Sequence, residues 1–203
     1  MTQTTPSFAV TWDYLCPFAR NVHEHLVAGL GAGAQWDVTF TPFSLVQAHV
    51  AEGDPPVWDA PDGATGLLAL QTGIAVRDRF PDVFPAVHRS LFAARHDHAR
   101  DLNDRDVIRD VLSACGADPD AVLGEVAEGW PLQELRRAHE DAVSRLEVFG
   151  VPTFIVGDQA VFVRVMTRPG DDGVAARSTI DHVLALISGH PELNEFKHTT
   201  VPR

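Results

Sequence analysis

The first 45 residues alternate strand-like and helix-like hydrophobic patterns. Residues 7–14 (SFAVTWDY) are rich in aromatic and β-branched side chains and predict a buried strand. A helix is predicted from Pro17, because apolar residues then recur at helical spacing until the GLGAG run: Val22, Leu26, Val27 and Leu30. Residues 35–45 (QWDVTFTPFSL) alternate apolar and polar positions before Pro42, which predicts a second strand. Since a helix connects the two strands, we expect them to be parallel.

The middle of the chain has a different pattern. Residues 48–64 are dense in Gly, Pro and Asp and predict a long surface loop. From residue 66 to about 149, apolar residues recur at intervals of three and four in successive segments, which predicts about four or five helices. Breaks at these positions separate the segments: Pro81, Asn103, Gly116 with Pro119, and Trp130 with Pro131.

Strand patterns return near the end of the chain. The runs PTFIVG and QAVFVRVM are joined by Gly157 and Asp158, a pair of residues typical of a hairpin turn. Apolar positions in residues 168–189 then predict a closing helix that ends at Gly189.

The junction between the first strand and the first helix carries Cys16, in WDYLCPFAR. The first turn of a helix has unpaired N–H donors and a partial positive charge, which favour a thiolate. We therefore expect a lowered pKa for Cys16 and alkylation well below about pH 8. Ala19 stands where a Cys-x-x-Cys pair would have its second thiol. The alternative interpretation is that Cys16 is a small buried apolar residue.

Two short motifs and the order of the predicted elements can be compared with those of known families. The order strand, Cys-led helix, strand, helical insertion, Val-Pro-Thr, hairpin and helix, with CPFA at residues 16–19 and GVPTF at residues 150–154, resembles the DsbA-like branch of the thioredoxin superfamily. This branch also contains kappa-class glutathione transferases and 2-hydroxychromene-2-carboxylate isomerases. The resemblance implies an α/β protein with a thioredoxin-like fold and a large all-helical insertion between the second strand and the cis-Pro loop. Residues 1–47 and 150–203 would form the thioredoxin-like domain and residues 48–149 the insertion.

The resemblance also implies an active site. The peptide bond between Val151 and Pro152 would be cis and would face Cys16, so that the backbone of Val151 pairs with a substrate. We expect these residues to bind substrate with Cys16 as the nucleophile: Val151, Pro152, Thr153, Pro17, Phe18 and Trp12. Ordinary packing is an equal alternative for Trp12. We expect Arg20 to bind a carboxylate of a thiol cofactor, although a solvated arginine is the commoner case.

Because a second thiol is missing at Ala19, the reaction expected of Cys16 needs an external thiol. We predict a thiol-dependent oxidoreductase that forms a mixed disulfide or covalent adduct on Cys16. An external low-molecular thiol, glutathione or mycothiol, would resolve the adduct as co-substrate, with no tightly bound cofactor. One alternative is a glutathione- or mycothiol-dependent isomerase or transferase, in which the protein activates the thiol of the cofactor. A second alternative is a redox-inactive thioredoxin-fold binding module, which Ala19 alone suggests.

The composition limits the kinds of partner that we expect for this protein. The formal charge of −12, without a basic stripe, excludes nucleic acid and an anionic membrane surface as expected partners. The first residues lack a signal-peptide pattern, no segment is apolar enough to span a bilayer, and only two cysteines occur, so we expect a cytoplasmic protein. Its partners would be a small thiol and a small electrophilic or disulfide substrate, and a homodimer is compatible with the sequence. Cys115 lies on an apolar helix face and is expected to pack in the core.

Ten histidines raise the question of a metal site. The dense positions, His23 with His25 and His96 with His98, are two residues apart, so neither pair forms the i, i+4 ligand face of a zinc helix. We therefore expect no metal site. His96 or His98 is instead a candidate proton donor that would reach over the active site, and one of Trp12, Asp13 and Tyr14 is expected to line the pocket beside the sulfur.

Overall fold

The computed structural model describes residues 5–61, 65–195 and 197–198. Residues 62–64 of the predicted long loop lie outside these ranges, as do residues 1–4, 196 and 199–203. Within the described residues the chain forms a mixed four-stranded sheet with eight α-helices. The strand order is β2-β1-β3-β4, from Ser7–Trp12 (β1), Asp37–Pro42 (β2), Thr153–Val156 (β3) and Gln159–Phe162 (β4).

The predicted strands and their directions are confirmed. β1 and β2 are parallel, with Ser7 opposite Asp37 and Trp12 opposite Pro42. Pro42 is tolerated because β2 is the edge strand of the sheet. β3 runs antiparallel to both β1 and β4, and the two residues Gly157 and Asp158 close the β3–β4 hairpin. Both first strands are shorter than predicted, because pairing ends at Trp12 and Pro42.

Five helices form the predicted insertion, with boundaries close to those of the periodic segments. After the first helix, Pro17–Gly31 (α1), and a short helix, Leu45–Ala48 (α2), they are Leu67–Arg79 (α3), Phe84–His96 (α4), Arg105–Ala114 (α5), Pro119–Ala127 (α6) and Trp130–Leu146 (α7). The break predicted at Trp130 and Pro131 separates α6 from α7, and these two residues begin α7, where proline fits the first turn. The closing helix is Gly173–Gly189 (α8).

Two apolar clusters hold these elements together. One contains Phe8, Val10, Leu26, Phe154 and Ile180, and packs α1 and α8 on one face of the sheet. The other joins the insertion helices to the end of β1 and to the segment after β2, through residues such as Tyr14 and Phe43. Cys16 comes shortly after the end of β1, and this end of the strand therefore lies where the insertion helices contact the sheet. In the described ranges, no helix combines the length and the hydropathy that a membrane span needs.

Candidate active site

Cys16 is the N-cap residue of α1. Its Sγ accepts a hydrogen bond from the backbone N–H of Ala19 at 3.4 Å, and Pro17 fills the first helical position. The backbone N–H of Cys16 donates to the Asp13 carbonyl at 3.1 Å, which closes the turn between β1 and α1. The sequence favours this geometry for two reasons. The N–H groups of a first helical turn have no partner within the helix, so proline loses nothing by lacking one, and its φ angle is that of a helix.

The second motif lies against the sulfur. The Val151–Pro152 peptide bond is cis, as the resemblance implies. The Cys16 thiol donates a hydrogen bond to the Val151 carbonyl, with Sγ 3.3 Å from the oxygen. Thr11 of β1 holds this loop, because its Oγ1 accepts a hydrogen bond from the Thr153 N–H at 2.8 Å. Two motifs 135 residues apart in the sequence are thus in direct contact.

The predicted acidity of Cys16 is wrong for this structure. The residue is only 8% exposed, and burial raises the pKa of its thiol above the ordinary value of 9.0. The backbone N–H groups of Ala19 and Phe18 and the charge of Arg164 lower that pKa, while Asp13 raises it, and the sum is upward. The helix N-terminus does act on the sulfur as expected, but desolvation of the thiolate is the larger effect.

Asp13 lies directly beneath the cysteine turn. Its side chain is buried, and its two oxygens accept the backbone N–H groups of Leu15 at 2.9 Å and Leu45 at 2.8 Å. Burial raises the pKa of Asp13 to about 6 despite these two bonds. The carboxylate therefore joins the cysteine turn to the segment after β2, and its charge raises the pKa of Cys16.

A chain of buried rings runs from Tyr14 into the core. The Thr11 carbonyl can only accept, so His23 donates to it through Nε2 at 3.1 Å, and His23 Nδ1 accepts from His88 Nε2 at 3.0 Å. His88 Nδ1 must then accept from the Tyr14 hydroxyl at 2.8 Å. This order requires both rings to be neutral, and burial lowers the pKa of His23 to about 4 and that of His88 well below its usual value. Tyr14 therefore points into the core and does not line a pocket beside the sulfur.

His96 reaches the cysteine turn, while His98 is exposed. His96 Nε2 donates to the Tyr14 carbonyl at 2.9 Å, two residues before Cys16. Burial lowers the pKa of His96, so the ring is neutral at pH 7 and its one proton is held by that carbonyl. The structure therefore gives His96 the role of holding the turn, and its proton is not directed at the sulfur.

Arg20 is placed in an ion-pair cluster. Its guanidinium is buried and contacts Glu24 at 3.1 Å and Asp97 at 2.5 Å. Arg168 binds the same Glu24 through two nitrogens, at 2.6 and 2.9 Å. Two carboxylates thus occupy Arg20, which does not favour the predicted role in binding a cofactor carboxylate. The cluster connects α1 to the end of α4 and to the segment after β4.

Several expected substrate contacts are buried in this structure. Trp12 is 0% exposed and packs edge-on against Tyr14 and His88, so the prediction that it contacts substrate is wrong. Its indole Nε1 has no hydrogen-bond partner in the part of the chain that the structure describes. Thr153 is also buried, with its hydroxyl on the Gly150 carbonyl at 2.8 Å, and so it supports the loop. Pro17 is exposed and Phe18 half-buried, and these two flank the sulfur on the solvent side.

Arg164 is a site residue that the sequence did not single out. Its guanidinium lies 5.2 Å from the centre of the Phe18 ring, at a distance typical of a cation–π contact, and its charge acts on Cys16. It comes two residues after the end of β4 in an ordinary apolar run. No local pattern could have indicated it, because its position depends on how the hairpin packs against α1.

The second cysteine is outside this site. Cys115 is the C-cap of α5, packs against the insertion core, and donates to the Ser90 hydroxyl at 3.3 Å. Both cysteines are free thiols. Nowhere in the described ranges do three His, Cys, Asp or Glu side chains come together as a ligand set for a metal ion.

A thiol at a helix N-cap, in contact with a cis-proline loop on a β2-β1-β3-β4 sheet, defines a thioredoxin-like protein with a thiol site. The family comparison agrees, because a model of the DSBA-like thioredoxin domain matches residues 10–167. The chain belongs to this family.

Solved structures show the same fold at low identity. The cytosolic disulfide reductase DsbM from Pseudomonas aeruginosa with GSH is 16% identical, with a TM-score of 0.61 over 89% of this chain and 100% of that one. A 2-hydroxychromene-2-carboxylate isomerase is 15% identical, with a TM-score of 0.59 over 90% and 97% of the two chains. Reduced DsbA1 from Neisseria meningitidis is 15% identical, with a TM-score of 0.59 over 95% and 90%. A search of curated protein sequences finds no match.

Proposed function

We propose that this protein is a thiol-dependent oxidoreductase with one reactive cysteine, Cys16. It attacks a small disulfide or electrophile, and an external low-molecular thiol, glutathione or mycothiol, clears the adduct. The observation that carries the proposal is the 3.3 Å contact between Cys16 Sγ and the Val151 carbonyl, at the N-terminus of α1. Membership of the DSBA-like family supports oxidoreductase chemistry. The glutathione named with the DsbM structure supports the choice of thiol.

The proposed cycle has two exchange steps. The Cys16 thiol loses its proton to solvent, and the thiolate attacks one sulfur of the substrate disulfide. A Cys16–S–S–R bond forms, the substrate S–S bond breaks, and the other half leaves as a thiolate with the electron pair. The external thiolate then attacks the R sulfur, so that Cys16 leaves as a thiolate and a new disulfide is released. The external thiol is oxidised and the substrate is reduced, and Cys16 returns to its first state.

The raised pKa of Cys16 slows this attack by less than the loss of thiolate alone would suggest. Each unit of increase lowers the thiolate fraction at pH 7 about tenfold, but it raises the nucleophilicity of the thiolate about threefold at a Brønsted slope near 0.4–0.5. The net loss is thus about three- to fourfold per unit. Once formed, the thiolate accepts the Ala19 and Phe18 N–H groups, both of which already act on the sulfur in the fold.

The same burial favours a second candidate. A buried Cys16 thiol that donates to the Val151 carbonyl is placed as a hydroxyl would be, and it could hold the thiol of a bound glutathione or mycothiol without reacting itself. The protein would then be a thiol-dependent isomerase or transferase, a proposal that the likeness to an isomerase of this fold supports only through the fold.

We also propose a cytoplasmic location. The two free cysteines fit a reducing compartment, and a small disulfide or electrophile with a small thiol fits a site in which Cys16 is buried while Pro17 and Arg164 are exposed.

The test measures reduction of bis(2-hydroxyethyl) disulfide by glutathione and by mycothiol, in the wild type and in two variants. Turnover lost in Cys16→Ser and kept in Cys115→Ser, with one thiol bound to Cys16 by mass spectrometry, is the expected result. Isomerase or transferase activity that survives in Cys16→Ser would favour the second candidate. A wild type inactive with either thiol, towards this disulfide and towards electrophiles, would contradict both.

A further inference from the structure

The segment after β4 runs along α1 and is fixed to both halves of the site. The Val163 N–H donates to the Pro152 carbonyl at 3.1 Å, so this segment begins beside the cis-proline loop. Asn21 of α1 donates through Nδ2 to the Val165 carbonyl at 2.9 Å. Arg164 lies between these two anchors, so hydrogen bonds on both sides hold it beside the Phe18 ring, and its charge acts on Cys16.

The side chain of Arg164 faces the entrance of the site. Its guanidinium covers the Phe18 ring at 5.2 Å, and Phe18 is two residues from the sulfur. Arg164 is exposed and forms no ion pair within 4.0 Å inside the described ranges. The charge of Arg164 acts on Glu195, but Glu195 forms its ion pair with Lys197.

The other charges near the sulfur are occupied. Arg20 is bound by Glu24 and Asp97, so it does not offer a second cation. Asp13 is buried and each of its oxygens holds a backbone N–H, so a molecule at the entrance does not contact it. A molecule that approaches Cys16 from solvent therefore meets an aromatic ring, a guanidinium and the positive end of α1.

We propose that Arg164 is the specificity residue of this site and that it selects molecules with a carboxylate beside the sulfur that reacts. The proposal rests on the function proposed above and names the class of its substrate, an anionic disulfide or an anionic thiol. Arginine suits this role because its planar guanidinium binds a carboxylate through two parallel hydrogen bonds while it stacks on an aromatic ring. In a chain with a net charge of −12, this local cation also offsets repulsion of an anionic substrate.

The first experiment compares two disulfides in a Cys115→Ser background, so that only Cys16 reacts. The anionic probe is 5,5′-dithiobis(2-nitrobenzoate) and the neutral probe is 2,2′-dithiodipyridine. In each reaction the Cys16 thiolate bonds to one sulfur, the S–S bond breaks, and an aromatic thiolate leaves and is measured by its absorbance. Arg164→Gln should lower the ratio of the anionic to the neutral rate constant by about fivefold, and 0.5 M salt should lower the wild-type ratio.

The second arm identifies the source of the carboxylate. The pyridyl adduct on Cys16 is resolved by mercaptoacetate or by 2-mercaptoethanol, which differ in one anionic group. A lower ratio in Arg164→Gln for this step alone assigns the carboxylate to the resolving thiol, and a lower ratio for the first step assigns it to the disulfide. Either result supports the role of Arg164. Ratios within twofold of the wild type in both arms would refute it.

Two controls separate this proposal from its alternatives. Arg136→Gln removes an exposed arginine of α7 with the same change in net charge, and an equal effect there would overturn the proposal. The binding arm uses a Cys16→Ser, Cys115→Ser protein and follows 5,5′-dithiobis(2-nitrobenzoate) by calorimetry. Adding Arg164→Gln should weaken binding at least about threefold. No such weakening would contradict the proposal, even if Cys16 itself proves unreactive and the proposed function fails.

Discussion

A substitution of Asp13 tests how burial changes the pKa of the charged groups around Cys16. Its carboxylate is 1% exposed and accepts two backbone N–H groups, and the burial raises its pKa from 3.8 to about 6. The substitution Asp13→Asn keeps the size and removes the charge. Because an amide oxygen replaces only one of the two acceptors, we expect one buried N–H to lose its partner, at a cost of about 1–3 kcal/mol at every pH.

The pH dependence comes from the charge. The folded protein binds this proton more tightly than the unfolded chain, so the stability that Asp13 contributes is fully present below pH 3.8 and is lost as the pH rises through about 6. The two pKa values together predict a loss of about 2.5 kcal/mol between pH 4 and pH 7.5. The wild type should therefore lose its advantage over Asp13→Asn across this range.

Urea unfolding followed by the fluorescence of the four tryptophans measures both proteins at several pH values. The contributions of the buried histidines are common to both and cancel in the difference. Asp110→Asn, at an exposed carboxylate of α5, is the matched control and should show no such trend. A difference that is constant with pH, or that favours the wild type as the pH rises, would show that the two N–H bonds outweigh burial and would refute the reasoning.

The remaining predictions concern the buried chain and the packing around it. Tyr14→Phe should lower the free energy of unfolding by about 1–3 kcal/mol, because the histidine nitrogen that accepts its hydrogen bond is left unpaired; an unchanged urea midpoint would contradict this chain. Gly73→Ala should also destabilise, by about 1–3 kcal/mol, since a Cβ would lie 2.3 Å from the Tyr14 hydroxyl. Gly124→Ala, which meets open space on α6, should instead stabilise by about 0.5–1 kcal/mol, and thermal melts of both compare them directly. Burial lowers the pKa of His23 to about 4, so the free energy of unfolding should fall as the pH falls from 6.5 towards 4. Urea unfolding of Asp13→Asn measures this, because the pH dependence of the Asp13 carboxyl, which has the opposite sign, is then absent.

Local pattern was sufficient for the elements that flank the site. Pro17 after Cys16 predicted the start of α1, and Gly157 with Asp158 predicted the β3–β4 turn, because each depends on the backbone preferences of one or two residues. Apolar spacing predicted four or five helices in the insertion, and five are found, because this spacing does not depend on what each helix packs against. Together with two short motifs, this was enough to recognise the family.

Tertiary structure decided the chemistry of the site. The raised pKa of Cys16 comes from burial under its neighbours, which a sequence pattern does not display, and this burial outweighs the helix N-terminus that the pattern does show. The burial of Trp12 depends in the same way on α4, whose His88 packs against the indole.

The charges around Cys16 were likewise assigned by distant contacts. The sequence suggested Arg20 as the cation for a cofactor carboxylate, but Glu24 and Asp97 occupy it. The charge that acts on Cys16 is that of Arg164, which lies far along the chain and packs on Phe18. The sequence alone therefore determined which elements form and their order, and the family resemblance that it carries implied the contact between the cysteine and the proline loop. Only the folded chain determined the charge and exposure at that contact, because electrostatic energies depend on burial and on distances between residues far apart in sequence.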